Sequence, residues 1–208
     1  IDLESDSSQY LSVSDSATSS ITGDITIEHW IKLETQPAEG SQFAIVEKYP
    51  STTGQRSYIT FIEKSGGSMK FGLTISTDGS NGPGSNSGAV TLNTGTWYHL
   101  AITRKQSDGN TVFYLNGVNV SSATVSAGNA MFDGTADFNV DKGGFLGYFD
   151  GLIDEVRVWN YVRTSTEIAD DYAQELNGNE TGLVGYWKLN NSPNDLTLNN
   201  NNLSNPAN

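Results

Sequence analysis

The side chains best equipped for chemistry in this chain are acidic and sit near what reads as one end of a folded unit. Asp2, Glu4 and Asp6 precede the first strand, Asp24 precedes the second, and Asp150 and Asp154 flank the start of the last long strand. Carboxylate oxygens held in loops suit a hard cation such as Ca2+. If both chain ends meet there, Asp6 and Asp154 are the expected metal ligands of a structural calcium ion. Asp and Ser also favour turns for their own reasons, and that competing reading stays open.

Amides, hydroxyls and rings offer a second chemistry. The segment Ser76 to Gly88 is built from Ser, Thr, Asp, Asn, Gly and Pro, and Phe132 to Phe149 contributes Asp137, Asn139 and Tyr148. Such groups hydrogen-bond sugar hydroxyls while an aromatic face stacks on the ring. Asp78, Asn81, Asn139 and Tyr148 are therefore the expected ligand-binding residues, carried on loops above a rigid scaffold. A solvated, flexible loop is the alternative for Ser76 to Gly88.

Glu28 with Trp30, and Glu155 with Arg157 and Trp159, occupy the non-core faces of two strands. If those strands are neighbours, Glu28 and Arg157 pair between two indoles. They form either a sugar platform or a layer sealed by the late helix, and the second is favoured because the helix must bury its apolar stripe.

Catalytic arrangements are missing. The two histidines, His29 and His99, have no cysteine companions, so a transition-metal site is not expected. No Ser sits in a Gly-x-Ser-x-Gly elbow. A retaining glycosidase needs two carboxyls about 5 Å apart across a groove, whereas Asp150 and Asp154 share a face that continues into Val156 and Val158. No enzyme is expected.

These residues need strands to hold them. Apolar alternation predicts strands at 9–13, 25–33, 43–47, 58–63, 69–75, 89–92, 98–104, 111–115, 138–140 and 152–159, with Asn116-Gly117 as a tight hairpin. Thr164 or Ser165 caps a helix over about 165–177, with Glu167 returning a capping-box bond and Ile168, Tyr172 and Leu176 at helical spacing. A closing strand follows at about 183–189. The predicted fold is an all-β, two-sheet antiparallel sandwich with one short C-terminal helix, spanning residues 1–189. The Asn-rich tail 190–208 has little to bury and is expected to be disordered.

The chain has 208 residues and no cysteine, enough for one core without disulfides. Its formal net charge of -13, with 11 Lys and Arg, excludes nucleic acid as a partner. No apolar run reaches the roughly 20 residues of a membrane span, so no membrane insertion is expected. Asn119-Val-Ser, Asn179-Glu-Thr and Asn202-Leu-Ser match the N-glycosylation pattern.

The segment Asp150-Gly-Leu-Ile-Asp-Glu-Val-Arg-Val-Trp-Asn160 and the capped helix after it resemble the end of laminin-G-like, concanavalin A-like jelly-roll modules. Asp24-Ile-Thr-Ile-Glu-His-Trp-Ile, Ile45-Val-Glu-Lys, Trp97-Tyr-His-Leu-Ala-Ile-Thr and Phe113-Tyr-Leu-Asn-Gly-Val resemble earlier strands of that family, in the same order. His29 departs from the pattern, where a small residue is usual, as does the long insert Ser76 to Gly88. Gly182-Leu-Val-Gly-Tyr-Trp-Lys-Leu-Asn resembles a segment that opens such modules in tandem arrays. The resemblance implies a non-catalytic extracellular or cell-surface recognition module, most often for a glycan or surface polysaccharide, within a larger protein with other domains. A spacer repeat without a ligand and a polysaccharide-cleaving enzyme are the alternatives. It also implies a structural calcium ion.

Overall fold

The computed structural model describes residues 1–143 and 146–205. In chain order the strands are β1 (Asp2–Leu3), β2 (Leu11–Val13), β3 (Ile25–Leu33), β4 (Gln42–Lys48), β5 (Tyr58–Ser65), β6 (Ser68–Ile75) and β7 (Gly84–Asn86). They continue with β8 (Trp97–Arg104), β9 (Asn110–Leu115), β10 (Val118–Thr124), β11 (Phe138–Val140), β12 (Gly151–Trp159) and β13 (Leu183–Trp187). One helix, α1 (Ser165–Asp171), lies between the last two.

Two antiparallel sheets face each other. One runs β1-β12-β3-β8-β9-β10, with β13 pairing β12; the other runs β2-β11-β4-β5-β6-β7. Ile25, Ile27, Ile31 and Leu33 of β3 recur every second residue, so they share one face and meet Val46, Ile62, Phe71, Leu73 and Val140 of the opposite sheet. Phe71 and Phe113 meet edge to face across this core at 5.8 Å. The expected all-β sandwich is the observed architecture.

The termini complete one sheet. β1 and β13 both pair β12, and β3 pairs it as well. Tyr186 and Trp187 are thereby buried within the chain's own sandwich. The expectation of a loose tail is overturned up to residue 205. Leu203 joins the core, Ser204 pairs with Ser12, and the Trp187 indole donates to the Asn201 carbonyl. A buried Asp195 does the work that apolar residues do elsewhere, accepting from the amides of Tyr186, Thr197 and Asn201. Residues 206–208 lie outside the described residues.

Two elements differ from expectation. No strand forms at 89–92, where only a Met69–Val90 bridge is made; its place beside β6 falls to Gly84–Asn86. The helix ends at Asp171 instead of reaching 177. Its start matches the sequence: Thr164 accepts from the Glu167 amide, and Glu167 accepts from the Thr164 amide.

Candidate functional site

The regular alternation of residues 152–159 breaks inside β12. Ile153 and Val156 both enter the core, because the pairing with β3 slips between Asp154 and Arg157. Glu155 absorbs the slip with a φ of 51°, a left-handed value that L side chains seldom adopt. Bulges of this kind re-aim side chains. Asp154 and Glu155 consequently leave the core face, which corrects the expectation that Asp154 points inward with Val156 and Val158.

The re-aimed residues line a 350 Å³ cleft formed by Trp30, Asp154, Glu155, Arg157, Tyr172 and Glu175, with Asn190 at its rim. Tyr172 stacks on Trp30 with ring centroids 6.2 Å apart, and the Trp30 indole donates to the Tyr172 carbonyl at 3.0 Å. Arg157 donates to Glu155 at 2.7 Å and to the carbonyls of Asp171 and Gln174. Tyr186 donates to the same Glu155 oxygen. Glu155 Oε1 and Arg157 Nε are buried without hydrogen-bond partners among the described residues. Burial raises the Asp154 carboxyl above its ordinary range, against the opposing pull of the N-terminal ammonium.

Beneath α1 the charges pair differently from expectation. Glu28 and Arg157 stand opposite each other on adjacent strands, yet Glu28 binds Arg163 at 2.8 Å and lies 3.3 Å from His99 Nε2. Arg157 takes Glu155 instead. The reason is local: Arg163, from the turn before α1, covers the Trp159 ring at 4.3 Å and also reaches Asp171. Burial alone raises the Glu28 pKa, but the adjacent His99 imidazole and the Arg163 and Arg157 guanidiniums outweigh it and bring it down to about 2. Arg163 thus covers Glu28 and Trp159, while Trp30 stays half-buried beside Tyr172 in the cleft.

The loop residues expected to bind a ligand lie around the other sheet. Asp78 is exposed and caps the Ser80 amide. Asn81 is exposed and accepts from Arg56, whose guanidinium stands 5.1 Å from the centre of the Tyr49 ring. Tyr148 is half-buried and folds over Gly143, where a Cβ would come within 2.7 Å of its ring. Asn139 is buried on β11, directly opposite Glu47 of β4. Glu47 and the nearby Asp141 were missed in the sequence because a lone acid at a strand end reads as solvent-facing. Burial, the largest influence on each, pushes Glu47 up to about 7 and Asp141 up to about 9.

The expected calcium pair does not assemble as expected. Asp6 is exposed on the short turn Ser5–Ser7, whereas Asp154 lines the cleft of β12. Among the described residues the group of three carboxylates within ligating reach of one another is Asp2, Glu4 and Glu34, all exposed, and neither Asp6 nor Asp154 belongs to it. Asp150 acts as a turn clip, accepting from Ser5 and from Thr35. The residues therefore do not fit an Asp6–Asp154 calcium site.

A two-sheet antiparallel sandwich with an aromatic, polar cleft beside its last long strand defines a lectin-like jelly roll. The model of the concanavalin A-like lectin/glucanases superfamily, Laminin_G_3, matches residues 5–169, and the chain belongs to that superfamily. No curated protein matches the chain. Among solved structures, a Bacteroides ovatus protein proposed to bind carbohydrate superposes with a TM-score of 0.67 at 22% identity, covering 95% of this chain. The chain spans 55% of that protein's length. The CBM40 of a Ruminococcus gnavus IT-sialidase, bound to alpha2,3 sialyllactose, gives 0.62 at 11% identity, covering 82% of this chain and 94% of the module. A SAP-like pentraxin from Limulus polyphemus gives 0.58 at 19% identity, covering 77% and 74% respectively. At these identities the shared property is the fold.

Proposed function

We propose that this chain is a non-catalytic carbohydrate-binding module of an extracellular or cell-surface protein, and that its glycan enters the cleft beside β12. The observation that carries this reading is the built character of the cleft. A stacked Trp30–Tyr172 pair forms one wall, and a strained Glu155 and a buried Arg157 line the cleft beside it. Aromatic surface beside a few fixed hydrogen-bonding groups is what a sugar ring requires. The carbohydrate ligands of structural neighbours, such as sialyllactose on the CBM40, support the class of ligand. Binding without cleavage is supported by Glu155, whose second oxygen is committed to Arg157 and Tyr186 and is thus poorly placed as nucleophile or general base.

A glycan array of the purified chain, followed by calorimetry on the best ligand, tests this. Glu175→Gln and Asn190→Ala change exposed rim groups and are expected to weaken binding at least tenfold, with no reducing sugar released. Silence across the array sinks the carbohydrate reading in favour of a spacer. Release of sugar establishes an enzyme. Loss of binding in Asp78→Ala or Asn81→Ala, with the rim variants unaffected, moves the site to the loops of the other sheet.

A further inference from the structure

The cleft beside β12 is lined by three carboxylates, those of Asp154, Glu155 and Glu175, and by one cation, Arg157. That cation is already engaged: Arg157 pairs with Glu155 at 2.7 Å and donates to two backbone carbonyls. Glu175 meets Lys188 at 2.8 Å, with side chains 64% and 30% exposed, a kind of pair that water and salt weaken. Asp154 is left over. Among the described residues it forms no ion pair, and its carboxylate accepts from the Glu155 amide at 3.0 Å. The N-terminal ammonium donates instead to the carbonyls of Ile153 and Leu189.

Asp154 also has a fixed neighbour. It stands opposite Trp30 in the β12–β3 register, and directly opposed residues project to one side of a sheet with Cβ atoms about 5 Å apart. Both are half-buried and both line the cleft, so a partly desolvated carboxylate sits beside the aromatic wall of Trp30 and Tyr172. A neutral hydroxyl gains one hydrogen bond there. An ammonium gains more, because the carboxylate accepts a charge-assisted bond from it and aromatic rings attract a cation to their faces. An anion meets the opposite conditions, with three carboxylates around it in a molecule whose formal charge of -13 repels it from a distance.

We propose that the cleft selects amino sugars, glycans of the glucosamine type that keep a free primary amine, and that the ammonium seats at Asp154 beside Trp30. The inference rests on the reading of this cleft as the glycan site and names its substrate class. Gln174 and Asn190, which also line the cleft, offer side-chain amides to the hydroxyls of the same sugar. N-acetylation removes the charge that Asp154 recognises, and uronic or sialic acids are turned away by theirs.

The test is calorimetry of the full chain with a β-1,4-linked glucosamine tetramer, with its fully N-acetylated counterpart, and with alpha2,3 sialyllactose as an anionic probe. The free amine is expected to improve Kd by about tenfold over the acetylated form, with no detectable binding of sialyllactose. Asp154→Asn is expected to bring the ratio of the two tetramers close to one, while Glu34→Gln, in the exposed acidic trio, leaves it unchanged. Equal or tighter binding of the acetylated tetramer overturns the inference and leaves the carbohydrate reading standing, as does a preference that survives Asp154→Asn or disappears with Glu34→Gln. Silence toward every glycan on the array removes both. Should Asp154→Asn not fold, carbodiimide coupling of the glucosamine tetramer to the unaltered chain decides: peptide mapping that finds the sugar on Asp154 supports the site, and coupling confined to Asp2, Glu4 and Glu34 overturns it.

Discussion

His29 stands in the core where β3 otherwise presents isoleucine and leucine, and its Nδ1 has no hydrogen-bond partner among the described residues. Burial is the main reason that its pKa falls to about 3, with the neighbouring His99 lowering it further and Glu28 pulling weakly the other way. The folded state therefore keeps this imidazole neutral while the unfolded chain takes up a proton near its ordinary pKa of about 6.5. Because the folded value is depressed, the stability linked to His29 is complete above that unfolded value and is lost as pH falls toward 3. His29→Gln removes the titration without removing the polar bulk. Relative to that variant, the unaltered chain is expected to lose about 2 kcal/mol of stability between pH 7 and pH 5. Urea unfolding of both at each pH measures it, and a difference independent of pH would show that His29 reaches solvent or a hidden acceptor.

Among the elements, the last one departs furthest from what composition implies. Residues 190–205 contain few apolar side chains, yet they close the sandwich because Asp195 replaces hydrophobic burial with a hub of hydrogen bonds. Its carboxylate accepts from three backbone amides and the Thr197 hydroxyl, while the segment shields the Trp187 ring stacked 4.8 Å from Phe138. Asp195→Ala strands those amides and is expected to cost about 3 kcal/mol, and hydrogen exchange should accelerate from Asn191 to Ser204. A loss under about 0.5 kcal/mol would mean that the segment rests on the surface. This also shows where sequence reading succeeds and where it stops. The Thr164–Glu167 cap was legible because both partners lie within one turn. The β12 bulge was not, since residues 152–159 alternate cleanly on paper and the slip arises only against β3. Trp30 and Arg157 stood out by residue type, but Arg163 intervened from a turn with no periodic signal. Glu47 gave no signal of its own because its burial depends on β11, distant in sequence.

At the scale of the whole molecule, a formal charge of -13 sits on a fold that buries five of its 11 basic residues. Arg104, Arg157 and Arg163 are buried, and Arg157 and Arg163 bind carboxylates inside the structure. The exposed surface is consequently acidic, most densely where Asp2, Glu4 and Glu34 gather. Repulsion among such charges opposes the compact state and weakens as the Debye length shrinks from about 10 Å at 0.1 M salt to about 3 Å at 1 M. The buried pairs are screened far less, so the two effects separate on a salt titration. The melting temperature is expected to climb by a few degrees between 20 mM and 0.5 M NaCl in the presence of EDTA and then to level off. Sodium chloride is the suitable probe because sulfate or phosphate would strengthen apolar burial by exclusion and obscure the charge effect. A melting temperature that falls with salt would reverse the ranking, making exposed pairs such as Lys188–Glu175 worth more than the collective repulsion. The acidic surface would then be a consequence of local pairing and not a cost that the sandwich bears.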